Sequence, residues 1–324
     1  MTSRRGSRRT RKPSRAILVF LLIAGLIGGG IWAYTPDESR AVLEARYHVA
    51  PTDYVDIDGV HLHVKDSGPK GAPVLVLLHG FGASLQTWDI WSERLSTNYR
   101  VIRFDLPGFG LTGADPTGDY ADDRAVRILS DLLDRLGIAK ATLIGNSMGG
   151  KIAWKCAASH PTRVEGLVLI SPDGYASPSF AYGEHPTVPV LMHALPYVMP
   201  KSLLRASILP AYGDPAHLSD LTVTRYWDML RAPKVREAII ARLGQTVLED
   251  PRPTLQEIAV PVLLIWGEKD GMIPFRNAQD YLGVLKSAQL VSFPDLGHVP
   301  QEEDPDRSLK PVLAYLAARR VAAP

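Results

Sequence analysis

Gly145-Asn146-Ser147-Met148-Gly149-Gly150 is the stretch that most narrows what this chain can fold into. The run before it, Ala141-Thr142-Leu143-Ile144, is short, apolar and β-branched, which reads as a buried strand. The run after it, residues 151–158, repeats apolar side chains at helical spacing with no turn residue. Strand, Gly-x-Ser-x-Gly and helix in that order are the layout of a nucleophile elbow. A serine in so tight a turn takes strained backbone angles, and side chains at 145 and 149 would collide with the neighbouring strand and helix. The turn lifts the Ser147 hydroxyl clear of the sheet. It also aims the Met148 N–H, at the helix N-terminus, toward negative charge developing on a bound oxygen.

On both sides of the elbow, strand and helix patterns alternate. Residues 54–58 and 60–64 alternate polar with apolar across Asp58-Gly59, a hairpin signal. His61 and His63 share one strand face there, but no third ligand accompanies them, so they read as ordinary polar-face residues. Residues 73–78 form a wholly apolar strand, suited to a parallel sheet covered on both faces. It runs into His79-Gly80-Phe81-Gly82-Ala83, a glycine-rich loop without the Lys-Ser/Thr that a phosphate-binding loop needs. A helix over 84–95 and a strand over 100–104 follow, then Asp105-Leu106-Pro107-Gly108-Phe109-Gly110. Residues 120–136 place Ala125, Ile128, Leu129, Leu132 and Leu133 on one helical face. Another buried strand is expected over 166–170. The sheet resumes at 261–266, which ends in Gly267-Glu268-Lys269-Asp270, and at 289–293, which leads to Gly297-His298. A helix around 277–285 separates those two strands. A last helix over 305–320 contains Pro311, which is expected to kink it or mark its true start. Such alternation predicts a mainly parallel sheet with helices on both faces.

Between 171 and 260 that rhythm stops. Proline-punctuated helical patterns over 188–198, 201–209 and 235–248 take its place. The expected organisation is therefore a core of residues 53–173 and 260–320, with a helical cap of residues 174–259 above the carboxyl ends of the strands. The first half of the cap is rich in apolar and aromatic side chains, among them Phe180, Tyr182, Val190, Leu191, Tyr197 and Met199. They suit an apolar substrate channel.

The N-terminus needs separate treatment, because it distorts the charge of the whole. The net charge of 324 residues is +2, yet residues 1–15 alone carry seven Lys or Arg and no acid. Removing those seven from the 36 basic residues leaves 29 against 34 acidic ones, so the remainder is mildly acidic. That balance argues against a nucleic-acid surface. Residues 16–34 carry no charge, and their length approaches that of a membrane span. They read as a retained single-pass signal-anchor behind a basic cytoplasmic arm (residues 1–15), with a cleaved signal as the alternative. The expectation is a cytoplasmic N-terminus, a short helical connector over 35–52, and an extracytoplasmic globular part, periplasmic if the source is bacterial. A single cysteine, Cys156, allows no intrachain disulfide and falls in the helix behind the elbow, where it reads as a small buried apolar residue.

Ser147, an acid and then His298 follow one another along the chain, and each candidate group sits at the carboxyl end of an expected strand. On five motifs in register, the chain resembles the α/β-hydrolase superfamily from about residue 53 to 316. They are His79-Gly80-Phe81-Gly82, Asp105 to Gly110, Gly145 to Gly150, Trp266 to Asp270, and Gly297-His298. The elbow together with His-Gly-Phe-Gly is similar to that of bacterial serine esterases and lipases. The resemblance implies that Ser147 attacks a carbonyl carbon while His298 takes its proton and an acid orients His298. Asp270 occupies the family's usual acid position; Asp173, after the strand before the cap, is the alternative, and Glu268 comes third. Backbone N–H groups of Met148 and Phe81 are the implied oxyanion hole, with His79 stabilising the loop. The implied substrate is a small-molecule or lipid-like ester, with no cofactor, metal or nucleic acid. Two other readings remain open. One is a carbon–carbon hydrolase of ring-cleavage products, whose elbow is often the same but whose oxyanion loop usually differs. The other is a non-catalytic binding module on the same fold.

Overall fold

A computed structural model describes residues 15–176, 181–184 and 186–322. The apolar runs become strands β1 (Tyr54–Ile57), β2 (Val60–Ser67), β3 (Val74–Leu78), β4 (Arg100–Phe104), β5 (Ala141–Asn146), β6 (Val164–Ile170), β7 (Val262–Gly267) and β8 (Ala288–Phe293). They build one sheet in the order β1-β2-β4-β3-β5-β6-β7-β8. β1 and β2 pair antiparallel, as do β2 and β4; every other pairing is parallel. Asp58 and Gly59 both hold positive φ, +46° and +80°, as a two-residue hairpin turn requires.

Helices in the chain are α1 (Arg15–Ala33), α2 (Arg40–Arg46), α3 (Asp89–Leu95), α4 (Asp122–Arg135), α5 (Met148–Ser159), α6 (Lys201–Ile208), α7 (Asp220–Leu230), α8 (Val235–Gln245), α9 (Arg252–Gln256), α10 (Asn277–Leu282), α11 (Pro300–Glu303) and α12 (Pro305–Ala322). Because the parallel strands are apolar on both sides, successive residues enter different cores. Leu75, Leu77, Ile144, Ile170 and Ile265 meet Trp91 and Leu95 of α3 and Leu309, Val312 and Leu316 of α12. Val76, Leu78, Leu143, Leu169 and Leu264 share the opposite face with Ile128, Leu129 and Leu132 of α4 and Ile152 and Ala153 of α5. Cys156 is fully buried on that side, and burial pushes its thiol up to about 12, which leaves it unreactive. Pro311 lies inside α12, which runs through it unbroken.

The stretch between β6 and β7 carries α6, α7, α8 and α9, joined by short 3₁₀ turns. Met199, Leu204, Tyr226, Met229, Val235 and Ile239 bury into the α4–α5 side of the core. Several residues expected to line a channel point elsewhere. Val190 and Leu191 are 88% and 83% exposed, Tyr197 is exposed, and Met199 is core. Phe180 lies outside the described residues.

The expected signal-anchor and the placement built on it are corrected here. Among the described residues, no helix is long and apolar enough to cross a membrane. α1 has 19 residues and opens on a charge, Arg15, so its uncharged part rises only about 27 Å against a hydrocarbon core of ~30 Å. Its C-terminal end is tied to the globular part. Tyr34 bridges Val198, and the Thr35 N–H donates to the Tyr197 carbonyl at 2.8 Å. The reading of a single-pass protein with a cytoplasmic N-terminus and an extracytoplasmic domain is withdrawn, and with it the membrane as a partner. The first 14 residues of the basic arm lie outside the described residues. The connector over 35–52 does contain a helix, α2, capped by the Ser39 hydroxyl accepting from the Val42 N–H.

Candidate active site

Ser147 sits between β5 and α5 with φ +54° and ψ −121°, a conformation few side-chain-bearing residues adopt. The turn is fixed by its own backbone. Ser147 N–H donates to Ile170 O at 3.0 Å, while Ser147 O accepts from Lys151 N–H at 3.0 Å and Asp173 N–H at 3.1 Å. A Cβ on Gly145 would overlap the Gly149 carbonyl, and one on Gly149 would overlap the Leu78 carbonyl. The glycines are therefore required by close approach of backbone to backbone. The His79–Ala83 loop lies directly against this turn, since a Cβ on Gly80 would stand 3.2 Å from Ser147 Cβ.

His298 follows β8, and its Nδ1 lies 2.8 Å from Asp270 Oδ2 after β7. The Asp270 carboxylate is buried, and its other oxygen accepts from the Met272 and Ile273 N–H groups, both at 2.8 Å. Each carboxylate oxygen is thus committed, and the histidine ring is held at one nitrogen with Nε2 left over. Ser147, Met148, Phe81 and His298 together line a cavity of about 290 Å³. Met148 is the first residue of α5, so its N–H has no carbonyl to meet within the helix. Asp173, the alternative acid, also borders the cavity, but burial raises its carboxyl above the usual range and favours the neutral form. Glu268 points away, its carboxylate accepting from the Ser292 hydroxyl at 2.7 Å.

A family model described as alpha/beta hydrolase fold matches residues 73–305. The chain belongs to the alpha/beta hydrolase family. The hydrolase is 32% identical over 279 residues to a 2-hydroxy-6-oxononadienedioate/2-hydroxy-6-oxononatrienedioate hydrolase of Burkholderia vietnamiensis, covering 82% of this chain and 96% of that one. Among solved structures, it resembles a putative lipase of Acinetobacter baumannii with a TM-score of 0.74 at 21% identity, over 90% of this chain and all of the other. A bacterial membrane phospholipase A resembles it with a TM-score of 0.70 at 24% identity, over 95% of this chain and 99% of the other. At those identities the two structures speak for the fold alone.

Several residues that hold the site together carry no local signal in the sequence. Asn146 Nδ2 donates to Ile170 O at 3.1 Å and to His298 O at 2.9 Å, tying the elbow to the histidine loop across 152 positions. Buried Glu303 accepts from the Gly297 N–H at 2.7 Å and from the Gly213 and Asp214 N–H groups at 3.0 and 2.8 Å. The turn that follows α6 clamps the loops carrying His298 and Asp270, since His298 N–H donates to Ala211 O and Gly271 N–H to Pro210 O. His63, read as a polar-face residue, is wholly buried, with Nδ1 2.7 Å from Asp105. Asp105 in turn accepts from the Leu85 and Leu111 N–H groups, fixing the loops beside Phe81. Although burial opposes ionisation, the neighbouring His63 ring and these donors hold the Asp105 carboxyl below its usual range.

His79 gives a pH dependence whose sign follows from its bonds. Its Nδ1–H donates to Gly80 O at 2.8 Å, and its Nε2 accepts from the Leu106 N–H at 2.9 Å, so the folded ring is neutral. Burial pushes its pKa below the ordinary 6.5. Below about pH 6.5 the unfolded chain takes up a proton there that the folded chain refuses, and acidification favours unfolding. The urea midpoint is expected to fall between about pH 7.5 and about pH 5.5, and to fall less in His79→Gln. An unchanged slope in His79→Gln would remove this residue from the account.

Proposed function

We propose that the chain is a serine hydrolase that cleaves carboxylic esters through an acyl-enzyme on Ser147. The observation that carries the reading is the His298–Asp270 contact at the mouth of the elbow, with each partner fixed by further hydrogen bonds. His298 Nε2 takes the Ser147 proton as Oγ bonds to the ester carbon, and the carbonyl electron pair moves onto oxygen. The Met148 and Phe81 N–H groups receive that oxyanion. Collapse breaks the bond to the alkoxy group, which leaves as the alcohol with the proton from His298. Water then repeats the sequence on the acyl-enzyme and frees the acid. Residues 53–173 and 260–320 serve as the catalytic core, and 174–259 as the cap over it.

The cavity supports acyl chains held by burial, because Leu243, Leu248, Met272, Ile273 and Pro274 line much of it. Each added methylene contributes up to ~0.8 kcal/mol, or roughly fourfold in kcat/KM, while room remains. On a nitrophenyl ester series, kcat/KM is expected to rise with chain length and then fall once the cavity is full. A serine-directed phosphonate should block turnover and label Ser147 alone.

The carbon–carbon hydrolase reading is favoured by the identity to dienedioate hydrolases, that of Burkholderia among them. A ring-cleavage dienoate assayed beside the esters separates the two. Strong dienoate cleavage with feeble ester turnover would overturn the ester reading. Inactivity on both, with Ser147 unlabelled, would point to a binding module.

A further inference from the structure

Arg242 of α8 lines the same cavity as Ser147 and His298 and forms no direct ion pair among the described residues; Asp122, already shared by Lys151 and Lys155, acts on it only from beyond contact distance. The residue is only 3% exposed. Nη2 makes a long hydrogen bond of 3.3 Å to Pro107 O, and Nε is buried with no partner. The rest of the guanidinium lies over aromatic faces, with Cζ 5.4 Å from the Phe109 ring centre and 5.6 Å from that of Tyr120. Phe109 in turn packs edge-on against Phe81 at 5.6 Å, which sets Arg242 beside the proposed oxyanion loop.

The other charges bordering the cavity are already balanced. Lys151 Nζ lies 2.9 Å from Asp122 Oδ2, and Lys155 stands 3.7 Å from the same oxygen. Although burial opposes it, Lys151 holds the Asp122 carboxyl below its usual range, so the pair stays ionised. Asp173 is pushed towards its neutral form by burial. Burial also lowers the pKa of Arg242, and the more distant Asp122 and Asp119 carboxylates offset it only in part. Arg236, six residues earlier on the same helix and also buried, differs in having a carboxylate in direct contact, Asp37 at 2.6 Å. A buried, unpaired guanidinium is costly, and the cost is relieved when an anion arrives.

Resting on the ester-hydrolase reading above, we propose that Arg242 binds a carboxylate carried on the acyl part of the substrate, so that the preferred substrates are half-esters of dicarboxylic acids. One unpaired positive charge matches one negative charge. A dianionic group such as a phosphate would leave one charge unanswered near Asp122. The apolar residues around it, Leu243 and Leu248 among them, suit the methylene chain between the ester and the acid.

The test compares the mono-nitrophenyl ester of adipic acid with nitrophenyl hexanoate, which has the same chain length and no charge. The intact enzyme is expected to favour the adipate half-ester by about tenfold or more in kcat/KM, as a charge-assisted hydrogen bond allows. In Arg242→Gln that ratio should fall towards one, and in Arg242→Lys it should be intermediate. A ratio at or below one in the unmodified enzyme, or a ratio unchanged in Arg242→Gln, overturns the proposal. Calorimetric binding of monomethyl adipate, which carries one carboxylate, to Ser147→Ala keeps this independent of turnover. Half-ester that binds there and is weakened about tenfold by Arg242→Gln supports the carboxylate site even if both nitrophenyl esters prove inert, which would count against the ester reading alone. No binding of the half-ester, or binding indifferent to Arg242, sinks the site.

Discussion

Asp270→Asn is expected to lower kcat by about 10⁴ while the protein stays folded, close to the loss for Ser147→Ala. The amide keeps the shape of the side chain and its oxygen still accepts from the N–H groups at 272 and 273, but its NH2 then donates to His298 Nδ1. The ring proton is left on Nε2, and the histidine can no longer act as a base. Asp173→Asn should leave most of kcat, because burial already biases that carboxyl towards a neutral form of nearly the same shape. Steady-state kinetics on a nitrophenyl ester, with circular dichroism as a check on folding, reads both variants. A severe loss in Asp173→Asn beside an active Asp270→Asn would transfer the orienting role to Asp173.

Gly149→Ala should cost about 3 kcal/mol or more of stability, at the upper end of what overpacking does. The new methyl would be driven into the Leu78 carbonyl, and behind it the His79 carbonyl stands at 2.6 Å. The Leu78 carbonyl cannot retreat, because β3 is paired on both sides, to β4 and β5. Urea unfolding measures the effect, and a midpoint within error of the parent would show that the elbow tolerates a side chain there. The same methyl at exposed Gly71, where nothing lies within 4 Å, serves as the control.

The elbow and the strands were legible because their signals are local. A run such as Val74–Leu78 is apolar at every position, and only a strand covered on both faces uses such a run. The nearness of Asp270 to His298 was legible for a related reason, since each stands in a short motif that follows a strand. Asn146 and Glu303 were not, because what they do depends on partners brought near by the fold rather than by the chain. The helical insertion failed differently. Its apolar residues over 190–199 promised a channel, but apolar composition does not say which way a side chain faces, and Val190 and Leu191 face outward. α7 escaped notice because Asp220–Leu230 mixes threonines and charges into its apolar face. The uncharged run at the N-terminus misled by length, since a count near the threshold for a span ignores the Arg15 start and the tie at Tyr34.

The bond from Asn146 to the His298 carbonyl has a consequence for a chain being made on the ribosome. Synthesis delivers Ser147 early, in a turn that β3, β5 and β6 can shape by themselves, whereas the histidine arrives with nearly all of the protein already extruded. Until β7 and β8 add to the sheet edge, a nascent chain holds an exposed hydroxyl with no base beside it. On the proposed mechanism, chemical competence is withheld until the last strands dock, and a chain cut short before residue 298 is expected to be hydrolytically silent however well its first half had folded.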